Sequence, residues 1–503
     1  MKIFFSKILT IFCLLHVLGL NSQTIVSSDF QASFALPLSS ATWSNSTTNG
    51  GIADFNGDGK LDLAKIDFNN SRVRVFVNST SPNSTVSASD FSSYFDFNVS
   101  LGPRDLFFAD LNNDGKPDLI TTHNNSDITI RLNNTVDNSS TISFKIAQTI
   151  TASSAVRTVK VADFNNDGWK EIVAVGYNGN TVNIIPITST DSNGDLVVST
   201  ISTITGYSSI QNFDIGDLNG DGLSDIAIAH GTSATLLVNN SLITPFTFVT
   251  PISIGTTSST RSIKLADLDG NTTLDIIVGL QWTRDVRLIT NKYSSGAFAD
   301  SNNFPVSTIS NLTGSSSNWS YYIDAKDFNG DGKLDLINSD FNAGNGVLIA
   351  TNSYSSGFIT GTDFSSNYVG SGSSYGSAFG EDLNNDGKID WINFHYSAIQ
   401  IAISKFVIPP VLSVSSSSLT FSSCDNNASD SQSFTVSGSN LTTDISIGAL
   451  SGFEYSLDDT TFYDTLTLTQ SSGSVASTTV YARLKSTATG SPTGNIVLSS
   501  EGA

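Results

Sequence analysis

The sequence predicts an all-β protein, in which a seven-bladed β-propeller with calcium-binding hairpin loops is followed by an immunoglobulin-like β-sandwich. Three observations support this prediction. An acidic nine-residue loop recurs seven times, short alternating apolar segments flank each copy, and the last part of the chain has such segments without the loop. The loops begin at Asp54, Asp110, Asp163, Asp217, Asp267, Asp327 and Asp382. Each unit therefore has the length of one four-stranded propeller blade.

The loop chemistry indicates calcium. Oxygen-bearing side chains stand at positions 1, 3, 5 and 9 of each loop, and oxygen is the ligand that a hard cation requires. Glycine at position 6 of most copies permits positive φ, which lets the carbonyl of position 7 face an ion as well. We expect up to seven calcium ions. The predicted ligands are Asp54, Asn56, Asp58, Asp62, Asp110, Asn112, Asp114, Asp118, Asp163, Asn165, Asp167, Glu171, Asp217, Asn219, Asp221, Asp225, Asp267, Asp269, Asn271, Asp275, Asp327, Asn329, Asp331, Asp335, Asp382, Asn384, Asp386 and Asp390.

The fifth loop departs from the other six at position 6. It has Thr272 where the others have glycine, and a β-branched residue resists positive φ. We therefore expect the fifth site to be the weakest.

The charge of the chain is strongly acidic. It has 45 acidic and 24 basic residues, and the loops supply 21 of the acids, three in each of seven. This balance disfavours a nucleic-acid partner, because contacts to phosphates need a basic face. Without metal, the clustered loop carboxylates repel one another.

The first 22 residues have the layout of a secretory signal. Lys2 and Lys7 precede an apolar run at residues 8 to 20, and the predicted cleavage lies near Ser22. The run is too short for a transmembrane helix. We expect a secreted or cell-surface protein without a transmembrane segment.

The remaining chain divides into two predicted domains. Residues 23–408 would form the propeller, as a monomeric ring, and residues 409–503 the sandwich. Each acidic loop would join the first two strands of a blade, and a third strand would follow; a looser fourth strand, such as residues 142–146, would close most blades. The seventh unit ends at Pro409 and Pro410 after its third strand, so we expect residues 30–36 to complete it. The chain ends directly out of a predicted strand, which suggests a fragment of a longer protein.

On these motifs, residues 30 to 408 resemble FG-GAP or VCBS repeats, the calcium-binding blade units of integrin α-chain heads and of many secreted bacterial proteins. The tail, with its segments at residues 431–439 and 480–485, is similar to repeats of exported Bacteroidota proteins. Such proteins often end in a sorting domain for type IX secretion. The resemblance implies an extracellular calcium-binding module.

A second face is predicted at the opposite end of the hairpins. The start of the first strand and the end of the second should meet there, roughly five strand residues or ~17 Å from the loops. The candidate ligand-face residues are Arg104, Arg157, Arg261 and Tyr321 from the first strands, and Asp67, His123, His230, Asp340 and His395 from the second strands. Together they would form a polar, partly basic surface suited to a carboxylated sugar or an acidic peptide.

Three functions remain open at this point. The favoured one is an extracellular binding or adhesion module for a glycan or protein ligand. The second is an enzyme resembling a polysaccharide lyase, in which one of the histidines is the base and an arginine neutralises the carboxylate. The third is a non-catalytic accessory module of a larger secreted enzyme. No catalytic residue is assigned.

Overall fold

The protein is described from a computed structural model of the 503-residue chain. The described residues are 9–12, 24–37, 50–176, 180–240, 246–283, 285–294, 298, 301–310, 320–340, 347–357, 359–369, 376–395, 398–406, 410–415, 418–422, 427–471, 473–488 and 492–501. Two compact units are present, one formed by residues 22–406 and the other by residues 1–21 together with residues 407–503.

The larger unit is built from antiparallel four-stranded sheets, seven of them within the described residues. Sheets 1 to 3 consist of Gly50–Ala53, Asp62–Asp67, Arg72–Phe76 and Tyr94–Asn98; of Pro103–Ala109, Asp118–His123, Asp127–Arg131 and Gln148–Thr151; and of Thr158–Ala162, Glu171–Val175, Val182–Ile185 and Ser202–Ile204. Sheets 4 to 6 consist of Ile210–Gly216, Asp225–His230, Ser233–Leu237 and Ile252–Gly255; of Thr260–Ala266, Asp275–Leu280, Val286–Ile289 and Val306–Ile309; and of Ser320–Lys326, Asp335–Asp340, Val347–Asn352 and Phe364–Val369.

Sheet 7 combines the two ends of this unit. Its strands Gly376–Glu381, Asp390–His395 and Ala398–Ala402 are joined by Phe34–Pro37, in which Phe34 pairs with Ile401. Phe30 extends the contact through a bridge to Ser404 and is buried. The segment expected to complete the seventh unit thus lies beside its third strand.

Each acidic loop joins the first and second strands of its sheet, as the sequence predicted. The expected fourth strand at residues 142–146 is wrong: the fourth strand of sheet 2 is Gln148–Thr151, which pairs with Asp127–Arg131. Ile142 is buried against the first two sheets, whereas Ile146 is almost fully exposed. The apolar pattern of residues 142–146 therefore reflects packing of a connecting segment.

Apolar side chains of neighbouring sheets pack together in chain order. One buried cluster joins sheets 1 and 2, and similar clusters join each following pair through sheets 6 and 7. A further cluster joins sheet 7 to sheet 1, where Leu63 and Phe76 pack with Ile392 and Phe394. Gly50 marks this contact, because a Cβ there would lie 1.9 Å from Cδ1 of Phe394. The first and last sheets are thus packed as closely as sequence neighbours.

The remaining elements of this unit are small. A hairpin of Ile187–Thr190 and Leu196–Val198 is inserted before the last strand of sheet 3, and its turn contains residues 191–195, which the sequence indicated as a turn. The helices among the described residues are the 3-10 turns Ser27–Asp29, Ala88–Phe91, Ser301–Asn303 and Gly361–Asp363. None of them is a candidate for spanning a membrane.

The smaller unit has two principal sheets around one apolar core. The first consists of Val411–Val414, Gln432–Ser439, Val475–Leu484 and Phe453–Ser456, and the second of Leu466–Leu468, Ile445–Ile447 and Leu498–Ser499. Phe434 and Val436 of the first sheet share the core with Ile445 and Leu468 of the second. Leu9–Phe12, inside the predicted signal, pairs with Ser418–Phe421. The rest of residues 1–22 lies outside the described residues, and the cleavage remains a prediction.

Candidate functional site

The acidic loops wrap around the carboxylate of their first residue. In the first loop, Asp54 Oδ1 accepts hydrogen bonds from the main-chain N–H of Gly57 (2.7 Å) and Asp58 (3.2 Å), and Oδ2 accepts one from Gly59 (2.8 Å). Asp217 and Asp327 are held in the same way in the fourth and sixth loops. The position-1 carboxylate therefore fixes the turn before any ligand binds.

Two positions of the loop need a left-handed backbone. Position 6 was expected from the sequence, and its glycines have φ between 80° and 87°. Position 4 was missed, although it is glycine or asparagine in every copy: Gly57, Asn113, Asn166, Gly220, Gly270, Gly330 and Asn385, with φ between 53° and 75°. Thr272 also adopts positive φ, at 72°. The fifth loop thus keeps the common turn, with the strain that a β-branched residue has there.

The position-9 carboxylate is buried in every loop. Asp62 Oδ2 accepts the N–H of Phe55 (3.0 Å) and Oδ1 accepts that of Asn78 (2.8 Å), the second residue after the third strand. Burial raises the pKa of Asp62, Asp118, Glu171, Asp225 and Asp275 to about 7 and that of Asp335 and Asp390 to about 8, and the other loop acids add to the effect. The charged form is therefore costly unless a cation compensates it.

The third loop leaves one such oxygen unsatisfied. Glu171 Oε2 accepts the N–H of Phe164 (2.7 Å), but Oε1 has no hydrogen-bond donor among the described residues although the side chain is fully buried. A buried carboxylate oxygen without a donor fits coordination of a cation.

The fifth loop brings three carboxylates together. Asp267, Asp269 and Asp275 each offer an oxygen, and these oxygens all lie within 4.8 Å of one another. This loop has its acids at positions 1, 3 and 9, whereas the others have theirs at positions 1, 5 and 9. The three carboxylates form the closest candidate cation site among the described residues.

A repeated asparagine ties each loop to the preceding one. Its Nδ2 donates to the main-chain oxygen of position 2 in the neighbouring loop, at 2.8 to 3.0 Å. The pairs are Asn78 with Leu383, Asn133 with Phe55, Asn239 with Phe164, Asn291 with Leu218, and Asn352 with Leu268. The first of these joins sheet 1 to the loop of sheet 7. The signal was present in the sequence as an asparagine 22 to 25 residues after five of the loop starts.

The opposite ends of the first strands surround a cavity. It has a volume of about 290 Å³, and all seven sheets contribute a first strand to its wall. Arg104, Arg157 and Arg261 line it together with Gln211. The prediction that these arginines gather at the end away from the acidic loops is therefore confirmed.

Farther along the same strands, ion pairs connect neighbouring sheets. Lys160 Nζ lies 2.5 Å from Asp214 Oδ1, and Lys264 Nζ lies 2.9 Å from Asp324 Oδ1. Burial alone would raise the pKa of Asp214, but Lys160 and Lys264 hold that pKa below its usual value. These residues stand three positions before their loops, so the alternation of lysine and aspartate runs through sheets 3 to 6.

Four segments of the chain match the FG-GAP-like repeat: residues 54–121, 110–174, 163–228 and 217–278. The chain contains four FG-GAP-like repeats. Each match begins at an acidic loop and ends in the second strand of the next sheet. The all-β larger unit is therefore propeller-like.

Comparison with solved structures finds two similar crystal structures, both of BBS1N in complex with ARL6DN. For the one soaked with mercury the TM-score is 0.46, and for the one soaked with lead it is 0.47. In both cases the identity is 12%, and the match covers 76% of this chain and 98% of the other chain. No curated protein matches the chain.

The histidines lie apart from the arginine-lined cavity. They end the second strands of their FG-GAP-like units, at the level of the arginines, but His123 and His395 are buried within the sheets. His123 Nε2 lies 2.9 Å from Thr129 Oγ1, and His230 Nε2 lies 2.8 Å from Thr235 Oγ1. Burial lowers the pKa of His123 to about 4. These contacts indicate a structural role.

The acidic residues of the predicted face are also accounted for. Asp67 lies 2.8 Å from Nη2 of Arg72 and accepts a hydrogen bond from Asn70. Tyr321 and Asp340 lie in strands Ser320–Lys326 and Asp335–Asp340, and their side chains fall outside the described residues.

The asparagine contacts give a prediction about ring closure. We expect Asn78→Ala to destabilise the protein by about 1–3 kcal/mol, because it leaves the buried Leu383 and Leu61 carbonyls without their donor. Asn133→Ala, which breaks the same contact between sheets 1 and 2, should cost as much. Exposed Asn134→Ala is the control. Chemical denaturation measures all three, and loss only in Asn133→Ala would show that sheets 1 and 7 are not joined.

The buried histidine gives a prediction about pH. His123 is neutral in the folded protein, whereas its pKa in the unfolded chain is near 6.5, so stability is full above pH 6.5 and falls as the pH drops toward 4. By pH 5 this should amount to about 2 kcal/mol. In His123→Gln, the free energy of unfolding should fall less between pH 7.5 and 5 than in the wild type. An equal fall in both proteins would contradict the assigned charge state.

Proposed function

We propose that the chain is a secreted, calcium-stabilised propeller of seven blades that acts as an extracellular binding or adhesion module. The observation that carries the proposal is the separation of two chemistries within each repeat. The acidic loop lies at one end of the first hairpin, and the arginines that line the cavity lie at the other. One end is suited to cations and the other to an anionic ligand.

Ring closure is supported by two kinds of contact between sheets 1 and 7. The apolar cluster between them resembles those between consecutive sheets, and the Asn78 bond to Leu383 repeats the bond made by Asn133. Asn385 Nδ2 also donates to Gly59 O (3.1 Å), as Asn113 does to Gly168 O (3.0 Å). In our proposal the seven sheets are the blades of a monomeric ring, clasped by Phe34–Pro37.

Calcium is supported by the loop carboxylates. Every loop has three acids, and the buried one at position 9 has a raised pKa because burial disfavours its charge. The pattern of oxygen ligands in a short turn suits calcium, which accepts flexible coordination by six to eight oxygens. Each ion would be held by the side chains at positions 1, 3, 5 and 9.

Secretion and the role of the smaller unit complete the proposal. The basic and apolar segment at residues 2–20 supports export, and the extracellular calcium concentration would load sites of modest affinity. The two sheets around one core in the smaller unit support an immunoglobulin-like sandwich, which we assign as a spacer. A binding role is favoured over a lyase, because the histidines proposed as bases make hydrogen bonds to threonines within the sheets.

The binding role is tested by screening the calcium-loaded protein, with its predicted signal removed, against immobilised extracellular glycans and proteins. We expect retention of at least one class, lost in the double variant Arg104→Gln/Arg157→Gln. The parallel assay measures unsaturated uronate released from acidic polysaccharides. Enzymatic release of that product would replace the binding module by a lyase.

The calcium assignment is tested by thermal unfolding with calcium and with excess EGTA. We expect chelation to lower the melting temperature steeply, because each loaded site contributes a few kcal/mol at saturation. An unchanged melting temperature would rule out calcium as a structural ligand.

Two substitutions compare the loops. Asp331→Ala removes a charged side chain from the sixth loop, whereas Asn271→Ala changes the fifth loop, in which Thr272 has a strained φ. The former should lower both calcium stoichiometry and melting temperature more. The reverse order would show that the three close carboxylates of the fifth loop outweigh the strain.

A further inference from the structure

The arginines of the cavity are presented by a repeated backbone irregularity. In sheets 2, 4, 5 and 6 the register between the first and second strands shifts by one residue, and the residue passed over is Arg104, Gln211, Arg261 or Tyr321. A β-bulge turns a side chain out of the ladder and is enriched next to binding sites. Arg104, Gln211 and Arg261 all line the cavity, so the bulges are part of how it is built.

Neighbouring amides orient two of the guanidinium groups. Arg261 Nη1 donates to Gln211 Oε1 at 2.9 Å, and Arg104 Nε donates to Asn124 Oδ1. An amide oxygen fixes the direction of a guanidinium without adding a charge of its own. A planar, permanently charged group with several donors is matched to a carboxylate.

The rest of the wall is aromatic as well as polar. Phe107, Tyr322 and Phe379 line the same cavity, and the rings of Tyr322 and Phe379 lie 4.8 Å apart with an interplanar angle of 52°. Asp105 and Asn212 add oxygen atoms that can accept hydroxyl protons. Aromatic faces beside directed polar groups suit a ring with apolar C–H faces and hydroxyl edges.

Resting on the binding function proposed above, we propose that this cavity binds one uronic acid unit of an acidic glycan. Its carboxylate would contact Arg104, Arg157 and Arg261, and its ring would lie against Phe107 and Phe379. The volume of about 290 Å³ is at the small end of ligand pockets and suits a single sugar ring. An acidic peptide would supply the carboxylate but neither the ring nor the hydroxyl groups.

The proposal is tested by calorimetry with the calcium-loaded protein and four probes: galacturonate, glucuronate, neutral galactose and N-acetylaspartate. We expect at least one uronate to bind more tightly than both other probes. Arg157→Gln should weaken uronate binding about tenfold or more, and Arg157→Lys less, because the charge is retained. Arg287→Gln, on a third strand away from the cavity, is the matched control and should bind as the wild type does.

Several outcomes would overturn the proposal. Equal binding of galactose would remove the role of the carboxylate, and tighter binding of N-acetylaspartate would assign the cavity to acidic peptides. Absent uronate binding, or uronate binding unaffected by Arg157→Gln, would place any glycan site elsewhere. Melting temperatures of the variants exclude unfolding as the cause of a loss. Calcium loading of the same samples separates the two proposals, because failure to bind calcium with intact uronate binding would refute only the calcium assignment.

Discussion

The buried carboxylate at position 9 of each loop is the interaction on which the repeats depend. In the first copy, Asp62 accepts one main-chain N–H from its own loop and another from Asn78 after the third strand. One side chain therefore fixes the loop and the exit of the third strand together. Because burial raises its pKa, the same group makes the metal-free loop costly when charged. Folding of the repeat and its demand for a cation have one origin.

The same interaction extends from one repeat to the next. The residue that donates its N–H to the position-9 carboxylate is, in five repeats, an asparagine whose side chain bonds the preceding loop. A change in one loop is therefore transmitted through a buried amide to the neighbouring sheet. The third repeat has Ile187 at this place, and its Glu171 is the position-9 residue with an unpartnered oxygen.

The sequence predicted what depends on local pattern: the seven loops, their place between two strands, and the pairing partner of Phe34. It did not predict the fourth strand of sheet 2, because Ile142 and Ile146 alternate as a strand would while only Ile142 is buried. It grouped arginines with histidines because both lie at strand ends. Only the bulges, which depend on pairing between strands, turn Arg104 and Arg261 to the cavity while His123 stays inside its sheet.

Charge arrangement then decides what this cavity can attract. The protein as a whole is strongly acidic, so its overall field repels an anionic ligand, and only local groups can favour one. Along the inner strands, Lys160 and Lys264 are paired with Asp214 and Asp324 and add little net charge. The arginines at the cavity carry the opposite sign to the loops, several strand residues away and beyond about one Debye length at physiological salt. Calcium in the loops would lower the overall repulsion without entering the cavity, which links loading of one end to association at the other.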